Sequence, residues 1–111
     1  MNVVNSQEFL TTVLGGVESL AKNIFGTAVD SAKKDAQTFL DSMQENLTTW
    51  TQQLALGQIS VDDLKWQIES KKDLAQMELL KNVGIAQIKI DEFKKGVVNL
   101  ICSTILSKIG L

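Results

Sequence analysis

Residues 29–54 read VDSAKKDAQTFLDSMQENLTTWTQQL, and the spacing of apolar residues in this stretch decides the fold class. At 100° per residue, Val29, Ala32, Ala36, Phe39, Leu40, Met43, Leu47, Trp50 and Leu54 fall on one stripe. Lys34, Asp41, Glu45, Thr48 and Gln52 fall on the far side. The pattern predicts a helix over about 27–56 that is packed on one face and wet on the other. Thr27 with Asp30 offers its N-terminal cap, and Gly57 stands where a left-handed C-cap is wanted.

Upstream, Phe9, Leu10, Val13, Leu14, Val17, Leu20, Ala21, Ile24 and Phe25 share one face. They predict a helix over about 6–25, with Asn5 and Glu8 as its cap signal. Gly15-Gly16 either weaken this helix, by up to about 1 kcal/mol each relative to alanine, or permit the close approach of a neighbour. Downstream, Ser60 followed by Asp63 forms a capping-box variant, and Asp62 and Asp63 sit in the first turn, where the helix dipole favours acids. A third helix is therefore expected over about 61–83, antiparallel to the second across the short 57–60 link. Lys81-Asn82-Val83-Gly84 reads as a stop, and a further helix is expected over about 85–109. The apolar phase nevertheless survives Gly84, so the last two segments also read as one long kinked arm. The fold class expected is a single all-α domain over 1–111, an amphipathic hairpin or bundle of three to four helices.

Composition agrees with this. The 111 residues include no proline, where a soluble domain of this length carries about five. The missing residue is the commonest helix breaker. The charge is −2, from 11 lysines against 13 acids, with no arginine and no histidine. Gripping a phosphate backbone takes a clustered positive surface, usually with arginine forks, so nucleic-acid binding is not expected. A metal site in a helical bundle uses inward Glu with Glu-x-x-His pairs, and no histidine is present. Asp62-Asp63, Glu69 with Asp73, and Asp91-Glu92 read as solvated, salt-bridged faces. No phosphate-binding glycine loop and no convergent nucleophile and base are found, so neither enzymatic activity nor a cofactor is expected. The single Cys102, among aliphatic residues, reads as a small buried hydrophobe. No basic region precedes the first apolar residues, and the longest strongly apolar charge-free run covers 12 residues, Gly96 to Ser107. Cytoplasmic placement is the expectation that follows.

The functional expectation comes from the 61–109 arm. Besides the stripe through Leu64 and Ile68, it carries a second one, formed by Trp66, Met77, Leu80, Ile88, Val98, Cys102, Leu106 and Ile109. A helix apolar on both sides is buried on both sides or binds something. The expected function is a non-enzymatic helical scaffold that self-associates, or meets a protein partner, through this second stripe. The alternative is a peripheral lipid-surface protein that inserts the first helix and the apolar C-terminal segment. Electrostatic attraction to lipid would be feeble, because residues 1–26 sum to −1 and residues 96–111 to +1.

Overall fold

The computed structural model describes residues 7–72 and 75–110. The described residues form six α-helices: α1 (Gln7–Ile24), α2 (Val29–Ser42), α3 (Gln44–Ala55), α4 (Val61–Lys72), α5 (Glu78–Asn82) and α6 (Gln87–Ile109). No strand occurs among them.

The local punctuation forms from residues close in sequence. Gly57 adopts φ +75°. The Gln58 N–H donates to the Gln53 carbonyl at 2.8 Å and the Gly57 N–H to the Leu54 carbonyl at 3.1 Å, closing α3 with a Schellman turn. Gly84 repeats the device with φ +86°, the Ile85 N–H reaching Leu80 at 3.1 Å and the Gly84 N–H reaching Lys81 at 3.0 Å. Ser60 and Asp63 exchange backbone N–H to side-chain oxygen bonds at 3.0 Å in both directions, which starts α4. The Ser60 backbone and hydroxyl bonds hold the Asp63 carboxyl below the usual carboxylate range.

Three expectations change. The 27–56 helix is two helices, because Met43, at φ −121° and ψ 22°, leaves the helical region. The Ser42 hydroxyl donates to the Phe39 carbonyl at 2.7 Å, and the Met43 N–H closes on Leu40 at 3.2 Å. Such side-chain competition bends helices. Its interruption is so short that Leu47, Trp50 and Leu54 stay buried. The Thr27–Asp30 cap is not made; α2 begins behind Ala28 in the left-handed region (φ 57°), with no side-chain cap bond. Finally, the long arm does not exist. Helix α4 ends at Lys72, residues 75–77 are not helical, Met77 is left-handed at φ 49°, and α5 is a single short turn. Ala86 is then extended, at φ −63° and ψ 143°, before α6. Asn5 lies outside the described residues; Glu8 instead pairs with Lys108.

Helix α6 carries the core. Ile90, Phe93, Val97, Val98, Ile101, Cys102, Thr104 and Ile105 are all buried, because α1 packs along one flank of it and α4 along another. Both neighbours run antiparallel to it. On the α1 side, Lys108 meets Glu8 at one end, while the Lys89 ammonium meets the Ile24 carbonyl at 3.3 Å toward the other. Between them the helices mate reciprocally. A Cβ added to Gly16 would stand 2.7 Å from Leu100 Cδ2, and one added to Gly96 would run into the Leu20 side chain. Gly16-Val17-Glu18-Ser19-Leu20 and Gly96-Val97-Val98-Asn99-Leu100 thus share a G-V-x-x-L pattern. Each glycine receives the leucine of the other helix, and both valines are fully buried. Gly15, by contrast, has nothing within 4 Å of an added Cβ. On the α4 side, Lys65 and Glu69 act electrostatically on Cys102, and Lys72 shares a hollow with Asp91, Lys94 and Lys95.

The accessible surface is 6134 Å² for 12.2 kDa, close to the roughly 6,100 Å² of a folded monomer of that mass. The radius of gyration is 13.6 Å, against the ~13 Å expected of a compact chain of this length. One copy of the chain closes its own core.

Candidate interaction surface

The eight residues of the second stripe separate into three groups. Met77, Leu80, Val98 and Cys102 are 4, 0, 0 and 7 % exposed and belong to the core. Leu106 and Ile109 are half-buried against that core. Trp66 and Ile88 are 66 and 77 % exposed. Half the stripe is therefore inside a single chain rather than on an outer surface. The reason is the turn around α5. A wheel drawn straight through residues 61–109 assumes one axis, whereas α4 and α6 lie side by side in opposite directions. Met77 and Leu80 project from a separate turn that packs on α2. Val98 and Cys102 belong to a helix covered on two flanks, which answers its two-sided apolar pattern without a second molecule.

The two exposed members are not neighbours. The α4–α6 register places Trp66 near residue 101 of α6, roughly 20 Å from Ile88 at 1.5 Å per residue. Other exposed apolar side chains lie at or beyond helix ends: Leu56, Val61, Leu79 and Val83. Trp66 differs from all of these in standing at the middle of a helix. Its i−4, i−3, i+3 and i+4 neighbours are Asp62, Asp63, Glu69 and Ser70, so the indole rises from a polar, largely acidic face. Helix α4 is also the least covered of the longer helices, burying Leu64 and Ile68 alone.

Sequence reasoning missed Asp35. Its carboxylate is 6 % exposed and accepts the Leu79 N–H at 3.2 Å and the Leu80 N–H at 2.8 Å. A residue of α2 thereby caps α5 from 44 positions away, satisfying two of the donors that a helix start leaves open. The available signal was its position on the wheel, where an acid stands beside Phe39 within an apolar stripe. Asp35 also lines a cleft of ≈ 370 Å³ with Phe39, Met77 and Leu79. Both its oxygens are occupied by backbone donors.

Ion pairs join Glu18 to Lys22 and Lys33, at 3.3 and 3.7 Å, and Lys108 to Glu8. The last of these holds the Glu8 carboxyl below its ordinary range. Burial pushes the Cys102 thiol up to about 11, with Lys65 opposing and Glu69 reinforcing the rise. It is therefore a protonated, weakly nucleophilic thiol near neutrality. Asp73, paired with Glu69 in the sequence reading, lies outside the described residues. Among the described residues no three His, Cys, Asp or Glu side chains come together as a metal site, and no helix is long and apolar enough to cross a membrane. No family model matches the chain, and no curated protein or solved structure matches it either.

Proposed function

We propose that this chain is a non-enzymatic helical interaction protein that works by associating with further copies of itself. The observation that carries this reading is Trp66. It is a tryptophan 66 % exposed at the centre of a helix that buries two residues only. Aromatic residues of this kind are over-represented among the side chains that dominate interface energies. Asp35 and Asp63 are taken up in caps, and Glu8, Glu18, Lys22, Lys33 and Lys108 in ion pairs. The second stripe is retained in reduced form: Trp66 and Ile88 are its surface members, while Leu106 and Ile109 support the core. No observation favours the lipid reading. Phe9, Val13, Val17 and Ala21 of α1 are 0–1 % exposed, so insertion would first require the α1–α6 pair to separate.

The test is solution mass across a range of protein concentrations. The expected outcome is a mass that rises with concentration toward that of a dimer, and a shift back toward monomer in Trp66→Glu. A monomer mass independent of concentration up to the millimolar range would overturn the reading.

A further inference from the structure

Helix α4 reads VDDLKWQIESKK over residues 61–72, and its charges are antisymmetric about Gln67. Asp62 mirrors Lys72, Asp63 mirrors Lys71, and Lys65 mirrors Glu69; in every pair the residue numbers add to 134 and the signs are opposite. Inversion of charge about a centre is what an antiparallel pairing of two identical helices demands, since residue i of one then faces residue 134 − i of the other. We infer that two copies of the chain associate through α4 laid antiparallel on α4 of the second copy, with the two-fold axis beside Gln67. This rests on the self-association proposed above and specifies its surface, symmetry and register.

The geometry of the fold agrees with the sequence symmetry. At 100° per residue, Trp66 stands opposite buried Leu64 and Ile68 with Asp62 and Glu69 beside it, while Lys65 and Lys72 continue the same flank toward Ile68 and α6. None of these charges is in an ion pair within the chain among the described residues, where the ion pairs involve α1, α2 and α6. Trp66 stands one residue from the axis, so each indole is covered by the opposite helix. Lys72 is joined around a hollow of ≈ 300 Å³ by Lys94 and Lys95 of α6, with Asp91 the single acid. The surface that receives the second copy's Asp62 is thus basic beyond α4 itself.

Magnitude sets the kind of dimer. Twelve helical residues span about 18 Å, and a single helix flank falls well below the ~800 Å² per partner of a standard stable interface. The dimer is therefore weak and concentration-dependent. Exposed ion pairs contribute little each; here they select register and orientation, while burial of the two indoles drives contact. Raising the ionic strength weakens it.

A charge-reversal mixing experiment decides. Asp62→Lys alone would place lysine against Lys72, and Lys72→Asp alone would place aspartate against Asp62, so each variant should dimerise about tenfold or more weakly than wild type. Mixed one to one, they restore both opposite-charge pairs in a heterodimer, and sedimentation velocity should recover the dimer. Circular dichroism on each variant checks that the substitutions leave the fold intact, and Ile88→Glu should dimerise like wild type. If wild type dimerises and the mixture shows no recovery, or if Ile88→Glu abolishes the dimer, the α4 arrangement is wrong while self-association stands. If wild type stays monomeric throughout, both readings fall together.

Discussion

Helices α4 and α6 both carry apolar residues on two sides, for different reasons. In α6 the second side meets another part of the same chain: α1 mates with Gly96 and Leu100, while α4 covers the flank bearing Cys102. In α4 one side holds Leu64 and Ile68 in the core and the other lifts Trp66 into solvent. A two-sided pattern therefore has no single meaning. It marks a central helix when both faces are aliphatic and continuous, and an outward-facing surface when the second face is one aromatic among charges. The sharpest contrast is in stability. Phe93 is fully buried with its ring centroid 5.3 Å from that of Phe25, so Phe93→Ala should cost about 3–5 kcal/mol. Trp66→Ala, on the outer side of α4, should stay within about 0.5 kcal/mol. Urea denaturation of the two variants at low protein concentration measures both. A loss of several kcal/mol in Trp66→Ala would erase the distinction between the helices.

The next effect concerns the α1–α6 seam. Gly16 and Gly96 each receive a leucine where a Cβ would stand, whereas Gly15, one residue away, faces open space. Gly96→Val should destabilise by about 1–3 kcal/mol, since added bulk at a filled contact forces the helices or Leu20 to move. Gly15→Ala should stabilise by about 0.5–1 kcal/mol, from helix propensity and reduced freedom of the unfolded chain. Thermal melts of the pair report the sign directly. Equal responses at Gly15 and Gly96 would mean that the reciprocal packing is not what holds these helices together.

How much of this was legible in sequence follows the range of the interactions. The Gly57 turn, the Ser60–Asp63 box and the Gly84 stop all depend on bonds spanning no more than five residues, so their signals stand next to one another in the chain. The close approach at Gly16 was open as one of two readings, because a glycine in a helix announces that something is small without naming its neighbour. The break at Met43 has no glycine or proline behind it and carried no comparable signal. Helix α5 was hidden for a different reason. Its second and third N–H groups are satisfied by Asp35, an α2 residue, and a bond spanning 44 positions leaves no local trace. With α5 unseen, a single wheel ran through the 61–109 segment and gathered Met77, Leu80, Val98 and Cys102 into an outer stripe. Of that stripe, Trp66 and Ile88 are exposed.

That long-range cap can itself be tested. Removing the carboxylate in Asp35→Ala leaves the Leu79 and Leu80 N–H groups without their acceptor, at about 0.5–2 kcal/mol for loss of a cap. Amide exchange at Leu79 and Leu80 should rise more than in α1 or α6, because α5 is short and depends on this contact. Asp35→Asn keeps one acceptor oxygen and should fall between wild type and the alanine variant. Unchanged protection at both amides in Asp35→Ala would show that α5 is held by Leu80 packing alone.

A last effect, confined to alkaline pH, lies on the seam between α6 and α4. Cys102 is 7 % exposed, and burial raises its thiol to about 11 from an ordinary value of 9.0, with Glu69 adding to the rise and Lys65 opposing it. The folded protein therefore holds a proton that the unfolded chain releases between pH 9 and 11. Because the native state then binds more protons, stability must fall as pH rises through that window and be fully present below it. Other groups titrate in the same range, so the informative quantity is the difference between wild type and Cys102→Ala. Wild type should lose stability across the window more steeply than the variant, and thiolate absorbance at 240 nm should show an inflection near 11 in the native protein but near 9 in urea. The same titration with Glu69→Gln should shift the native inflection downward, while Lys65→Gln should shift it upward. A native inflection near 9 would mean that water reaches the sulfur, and hence that α4 does not lie against α6 at Cys102.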